Sequence, residues 1–250
     1  MDRKRDLGSP IILSLETAML GGSVFLGSEK QQLAARIGDS KISHSNSLLI
    51  DIREALEEAS LKLNDVDLFA CAAGPGSFTG LRIGIATLKA LAATLDRSCV
   101  GVPTLQAVAH AAGSSDATVA LLPAGRGEIF AQMFRVSKDL VVTELDNAAH
   151  LSPQNLLNKY GEVADLVWAG EGAHLQKEVL RNFAREHGRD FGDSSGIERG
   201  WKLAPKPQNL ARNVALLALQ KYERNELESA HALKAIYVRP SDAELNQRCQ

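Results

Sequence analysis

Gly74-Pro75-Gly76-Ser77-Phe78-Thr79-Gly80-Leu81-Arg82-Ile83-Gly84 decides how the rest of the chain is read. A mostly apolar run, Val66 to Ala73, precedes it, and an alanine-rich run with helical spacing follows to Leu95, so the order is strand, tight loop, helix. Gly74 and Gly76 admit positive φ or a close backbone approach, and Pro75 biases Gly74 toward an extended conformation. Ser77 or Thr79 supplies a helix cap. Amides converging on a helix N-terminus can receive an anion, and a loop of this kind can equally serve to seat a helix tightly on a sheet. Composition leaves both readings open.

Upstream, Pro10 to Leu15, Ser23 to Leu26 and Gln31 to Ile37 read as three strands of an antiparallel meander. Glu16, Thr17, Ala18, Gly21 and Gly22 lie at its first turn. A carboxylate and a hydroxyl there are either plain turn chemistry or groups facing the phosphates or metal of a nucleotide. Leu48, Leu49, Ile52, Ala55, Leu56 and Ala59 then mark one face of a helix, with Asp51, Arg53, Glu54, Glu57 and Glu58 opposite and Ser45 or Asn46 as cap. The helix after the glycine loop carries Leu81, Ile83, Ile85, Leu88 and Leu91 among alanines and is apolar nearly all round, so it must be covered on more than one side. Gly84 within it costs about 1 kcal/mol against alanine. With Gly80 one turn away it makes a flat patch for close approach. The sheet covers one side, leaving the other for a neighbouring helix or a partner subunit.

Downstream, Ser98 to Val102 is a strand, Leu105 to Ala112 a short helix, and Gly113-Ser114-Ser115 a linker. Ala117 to Leu122, Glu128 to Val136 and Leu140 to Leu145 read as strands, the first pair turned by Gly125-Arg126-Gly127. Ser152 to Tyr160 is a helix, Leu166 to Ala169 a strand, Ala173 to Glu186 a helix, Lys202 to Pro207 a connector, Asn209 to Glu223 the last helix, and Ala235 to Val238 a final β-like segment. Two domains are expected: residues 1–112, completed by the helix 209–224, and residues 113–208.

Composition narrows the function. The 250 residues, 45% hydrophobic and 23% charged, describe an ordinary globular protein. With 28 basic and 30 acidic side chains the net charge is −2, which gives no footprint for autonomous nucleic-acid binding. Cys71, Cys99 and Cys249 are odd in number and unpaired in spacing, so neither a disulfide framework nor a zinc site is indicated. The apolar run Ile11 to Leu15 is too short for a signal or a membrane span, and a cytoplasmic location is expected. The glycine loop lacks the Gly-Lys-Ser/Thr of a P-loop, and Thr79 occupies the third glycine position of GxGxxG. Ser194 in GDSSG follows a charged stretch rather than a strand. His44 has no second histidine four residues away, and Arg126 with Glu128 reads as a solvated hairpin end. No catalytic set, metal site or cofactor is expected.

GPGSFTGLRIG closely resembles the signature of the TsaB (YeaZ) family, a glycoprotease-like, non-catalytic subunit of the bacterial tRNA threonylcarbamoyladenosine machinery. Further resemblances extend along the chain: Ile12 to Ala18 within ILSLETA, His44-Ser45 with Leu48-Leu49, Arg126 with Glu128-Ile129-Phe130, and Ile236-Tyr237-Val238-Arg239-Pro240. The resemblance implies an actin-like ATPase (ASKHA, ribonuclease H-like) α/β fold of two related domains. It implies a heterodimer with the paralogue TsaD, which holds the metal and active site, an ATPase partner, TsaE, and tRNA engaged only through the complex. A homodimer through the same helices is a third possibility when the partner is missing. Leu48, Leu49, Ile52, Leu56, Leu81, Ile85 and Leu88 are the expected interface, so Ile52→Asp or Ile85→Asp should weaken the complex. Glu16, Thr17, Gly76, Ser77 and Thr79 are the expected contacts for any nucleotide. Glu16 stands where the family usually has aspartate, and Leu122-Pro123-Ala124 replaces its usual Ile-Asp-Ala. Both departures point away from nucleotide hydrolysis and leave the scaffold role intact. The alternative is a self-sufficient hydrolase, either a nucleotidase at the glycine loop or a glycoprotease-like peptidase.

Overall fold

A computed structural model describes residues 9–39, 41–193 and 199–238. Ser194, Arg239-Pro240 and Cys249 lie outside the described residues. Among those described, residues 9–107 with 208–236 form one compact unit and residues 108–207 with 237–238 a second. The division falls between Ala107 and Val108, inside helix α3 (Thr104–Ala112) and ahead of the Gly113-Ser114-Ser115 stretch.

In the first unit β1 (Ile12–Glu16), β2 (Ser23–Gly27) and β3 (Gln32–Ile37) form the antiparallel meander. Helix α1 (His44–Ala59) crosses to β4 (Leu68–Gly74), parallel to β1, and α2 (Phe78–Thr94) crosses to β5 (Cys99–Pro103), parallel to β4. The strand order is β3-β2-β1-β4-β5. Every residue of β1 and β4 is buried; the continuous apolar run of β4 anticipates this for a central strand, whereas β1 buries Ser14 and Glu16 as well. Helix α7 (Leu210–Glu223) returns from the far end of the chain to the same sheet. Its docking is fixed by polar groups that burial obliges to pair: Ser14 Oγ donates to the Ala211 carbonyl at 2.7 Å, and the Ala211 N–H donates to Ser23 Oγ at 3.0 Å. Asn209 caps the helix, accepting from the Arg212 N–H at 3.1 Å.

The second unit repeats the opening of the first. Strands β6 (Ser115–Gly125) and β7 (Glu128–Val136) are antiparallel, β8 (Val142–Glu144) and β9 (Ala149–Leu151) pair with β7, and α4 (Pro153–Tyr160) leads to β10 (Leu166–Ala169), parallel to β6. Helices α5 (Glu171–Leu175) and α6 (Lys177–Glu186) precede β11 (Phe191–Asp193) and β12 (Trp201–Leu203), giving the order β11-β12-β10-β6-β7-β8. The run β8-β7-β6-β10 has the third-second-first-fourth order of β3-β2-β1-β4. Trp168 and Trp201 meet edge to face at 4.9 Å in its core, beside Tyr160. The Tyr160 hydroxyl donates to Asp146 Oδ2 at 2.8 Å, and Asp146 Oδ1 accepts from the Met133 N–H at 2.7 Å. Burial, then that bond to Asp146, pushes the Tyr160 phenol well above its ordinary range.

Several local expectations change. Helix α1 begins at His44 with Ser43 at the cap position, not Ser45 or Asn46; Ser43 Oγ lies 2.9 Å from Ser45 Oγ and caps no amide. The expected helix Ala173 to Glu186 is two helices that meet at Gln176, because α5 buries Gly172 and Ala173 whereas α6 buries Leu180 and Ala184. The connector from Lys202 opens with β12, whose Trp201 and Leu203 are buried on either side of Lys202. Ala235 to Val238 forms no strand; the Ile236 N–H donates to the Ala73 carbonyl at 2.7 Å.

Candidate functional site

The glycine loop faces the β1–β2 turn, and the two interlock. The Ser77 N–H donates to the Ala18 carbonyl at 2.7 Å, Ser77 Oγ caps α2 by accepting from the Gly80 N–H at 3.3 Å, and the Met19 N–H donates to Glu16 Oε1 at 2.9 Å. His44 Nε2 lies 2.9 Å from the Met19 carbonyl, so Nε2 carries the proton and donates. A Cβ on Gly80 would collide with the Thr17 carbonyl oxygen, one on Gly84 with Thr17 Oγ1, and one on Gly76 would stand 2.5 Å from the Ala18 Cβ. The flat patch on α2 therefore receives the turn 16–19 of the same unit. Close approach explains why α2 tolerates Gly84.

This geometry places all five residues expected at a nucleotide. Glu16 and Thr17 are buried, with Glu16 only 1% exposed; Gly76 and Ser77 lie in the interlock; Thr79 is exposed on the first turn of α2. The Ser77 and Gly80 amides, two of the donors at this helix N-terminus, are engaged within the chain. No chemical step is derived through a phosphate at these residues. Among the described residues no three or more His, Cys, Asp or Glu side chains form a metal-holding group. Cys71 and Cys99 are buried; desolvation pushes the Cys99 thiol up to about 11 and that of Cys71 higher, so neither offers a thiolate nucleophile at neutral pH. Arg126 stands at the tip of the β6–β7 hairpin with φ 53, and Glu128 Oε2 lies 2.9 Å from His150 Nε2.

The expected interface divides. Leu48, Ile52, Leu81, Ile85 and Leu88 are buried in their own unit and Leu56 is half-buried, whereas Leu49 is 64% exposed. The burial has a simple cause: the periodic apolar face of α1, and the side of α2 that carries these residues, hold the helices on the sheet. Side chains just off those faces stay exposed. Ile50, 47% exposed, adjoins Leu49 on α1, and Arg82, Ala86 and Ala90 are exposed on α2, the Arg82 guanidinium lying 3.7 Å above the Phe78 ring. Sequence reading passed over Ile50 because it lies outside the helical stripe. That misfit was the available signal.

Two units sharing one strand order, each with a meander followed by a parallel strand, define an actin-like ATPase fold of the ribonuclease H-like kind. A model of the family described as TsaD, tRNA N6-adenosine threonylcarbamoyltransferase, matches residues 38–234. The chain belongs to that family, and within it to the TsaB (YeaZ) group. It is similar to the tRNA threonylcarbamoyladenosine biosynthesis protein TsaB of Bacillus subtilis, 23% identical over 93% of this chain and 96% of the relative. The protein of that name from Escherichia coli is 27% identical over 91% of this chain and 94% of the relative. Among solved structures, YeaZ from Pseudomonas aeruginosa superposes with a TM-score of 0.71 at 25% identity, over 91% of this chain and 99% of that one.

Proposed function

We propose that this chain takes part in tRNA threonylcarbamoyladenosine biosynthesis as a non-catalytic subunit that docks on a TsaD paralogue and activates it. TsaD transfers the threonylcarbamoyl group to the adenosine beside the anticodon, TsaE joins the cycle, and tRNA is engaged through the complex. The observation that carries this reading is the interlock of the glycine loop with the 16–19 turn. It engages two of the amides at this helix N-terminus, while α1 and α2 keep Leu49, Ile50 and several small side chains exposed. A domain whose loop is closed on itself and whose helices still carry apolar surface supports binding another protein rather than turning over a nucleotide. Small residues on α2 suit close packing of a partner helix. A modification assay on unmodified tRNA tests it. The chain alone should give no product, TsaD alone little, and the mixture at least tenfold more; product from the chain alone, or no stimulation, would overturn the proposal.

A further inference from the structure

Glycine-loop packing leaves one stretch of the first unit unexplained, the segment 228–236 that follows α7. It grips α2 through Lys89 and, further along, the end of β4 that leads into the loop before α2. Near the C-terminal end of the helix, Lys89 Nζ donates to the carbonyls of Leu233 at 3.2 Å and His231 at 3.4 Å. At the loop that starts the helix, the Ile236 N–H donates to the Ala73 carbonyl at 2.7 Å, and the Ile236 carbonyl oxygen occupies the space a Cβ on Gly74 would need. Gly74 has φ +119, so an L side chain there is excluded on conformation as well.

The segment is also seated on the edge strand β5, from its first residue onward. Glu228 exchanges backbone bonds with Cys99, N–H to carbonyl in both directions at 3.0 Å. Leu233 is buried over Gly101, where a Cβ would stand 2.7 Å from Leu233 Cδ1. Two glycines thus make room for two points of one segment. Its other anchor is the buried Ala230, while Ser229, His231, Ala232, Lys234 and Ile236 are exposed. A segment held at a few points and otherwise open to water belongs to the low-stability end of a fold.

We propose that residues 228–236 form a releasable strap that clamps α2 from the glycine loop to Lys89 and so sets the position of that helix from the C-terminal side of the chain. Seated, it holds the Ala73–Gly74 backbone and thereby the start of α2. Released, it leaves Lys89 and the Ala73 carbonyl without these partners and frees the helix N-terminus to move while the meander β1–β3 stays formed.

The test is hydrogen–deuterium exchange on the full-length chain without any partner, so its outcome does not depend on the docking reading. The variant Leu233→Ser with Lys89→Met removes the buried knob and both lysine bonds. Amides of residues 76–91 should exchange at least tenfold faster than in the parent, and those of β1 and β2 at the parent rate. Equal exchange in 76–91, or a speed-up spread evenly over β1 and β2, would overturn the strap. Should the double variant fail to fold, Lys89→Met alone is read in the same way, with at least a threefold effect required and anything less counting against the proposal.

Discussion

Gly84 sits in the middle of a helix, where alanine is favoured by about 1 kcal/mol. Propensity therefore argues that Gly84→Ala should stabilise the chain. Contact argues the reverse, because the new methyl would overlap Thr17 Oγ1, an atom of a buried side chain with no open space to enter. Overpacking of this kind costs about 1–3 kcal/mol, so contact wins. Urea denaturation should show Gly84→Ala less stable than the parent, with Thr17→Ala restoring at least half the loss in the double variant. A stabilised Gly84→Ala would show that the turn does not press on the helix. Gly80→Ala is expected to be worse and not rescued by Thr17→Ala, since its obstacle is a backbone carbonyl that side-chain truncation leaves in place.

Among the elements, α1 and α2 separate buried side chains that stabilise from exposed ones that the proposed docking would use. Ile52→Asp and Ile85→Asp place a carboxylate in the unit's own core, where burying an unpaired charge costs several kcal/mol, so their primary effect is on folding rather than on an interface. Leu49→Asp is surrounded by water and should leave stability within about 0.5 kcal/mol of the parent. Thermal melting of the three variants checks this: two should melt far below the parent and one beside it. The same helices show what a sequence makes legible. The strand–loop–helix at Gly74 to Gly84 and the meander could be read because continuous apolar runs and glycine spacing report burial directly. The direction of burial could not, since α2 is apolar nearly all round and its periodicity does not say which side meets the sheet. Strands β9, β11 and β12 are three residues each, too short for a period of two to declare itself. The partner that fills the Gly80–Gly84 patch, Thr17, lies more than sixty residues upstream, beyond any local pattern.

At the level of the whole chain, two units share one four-strand run, and in the first of them the glycine-rich loop is interlocked with the neighbouring turn. Family membership and the interlock together support a scaffold role, and that role requires a surface that recognises TsaD without disturbing the fold. The decisive measurement is a titration of TsaD with the purified chain, compared with the double variant Leu49→Asp and Ala86→Asp, each sample first checked for an unchanged melting temperature. The parent should form a one-to-one complex, and the variant should bind at least thirtyfold more weakly, the equivalent of about 2 kcal/mol. No complex with the parent, or undiminished affinity in a folded variant, would contradict docking through the exposed face of these two helices.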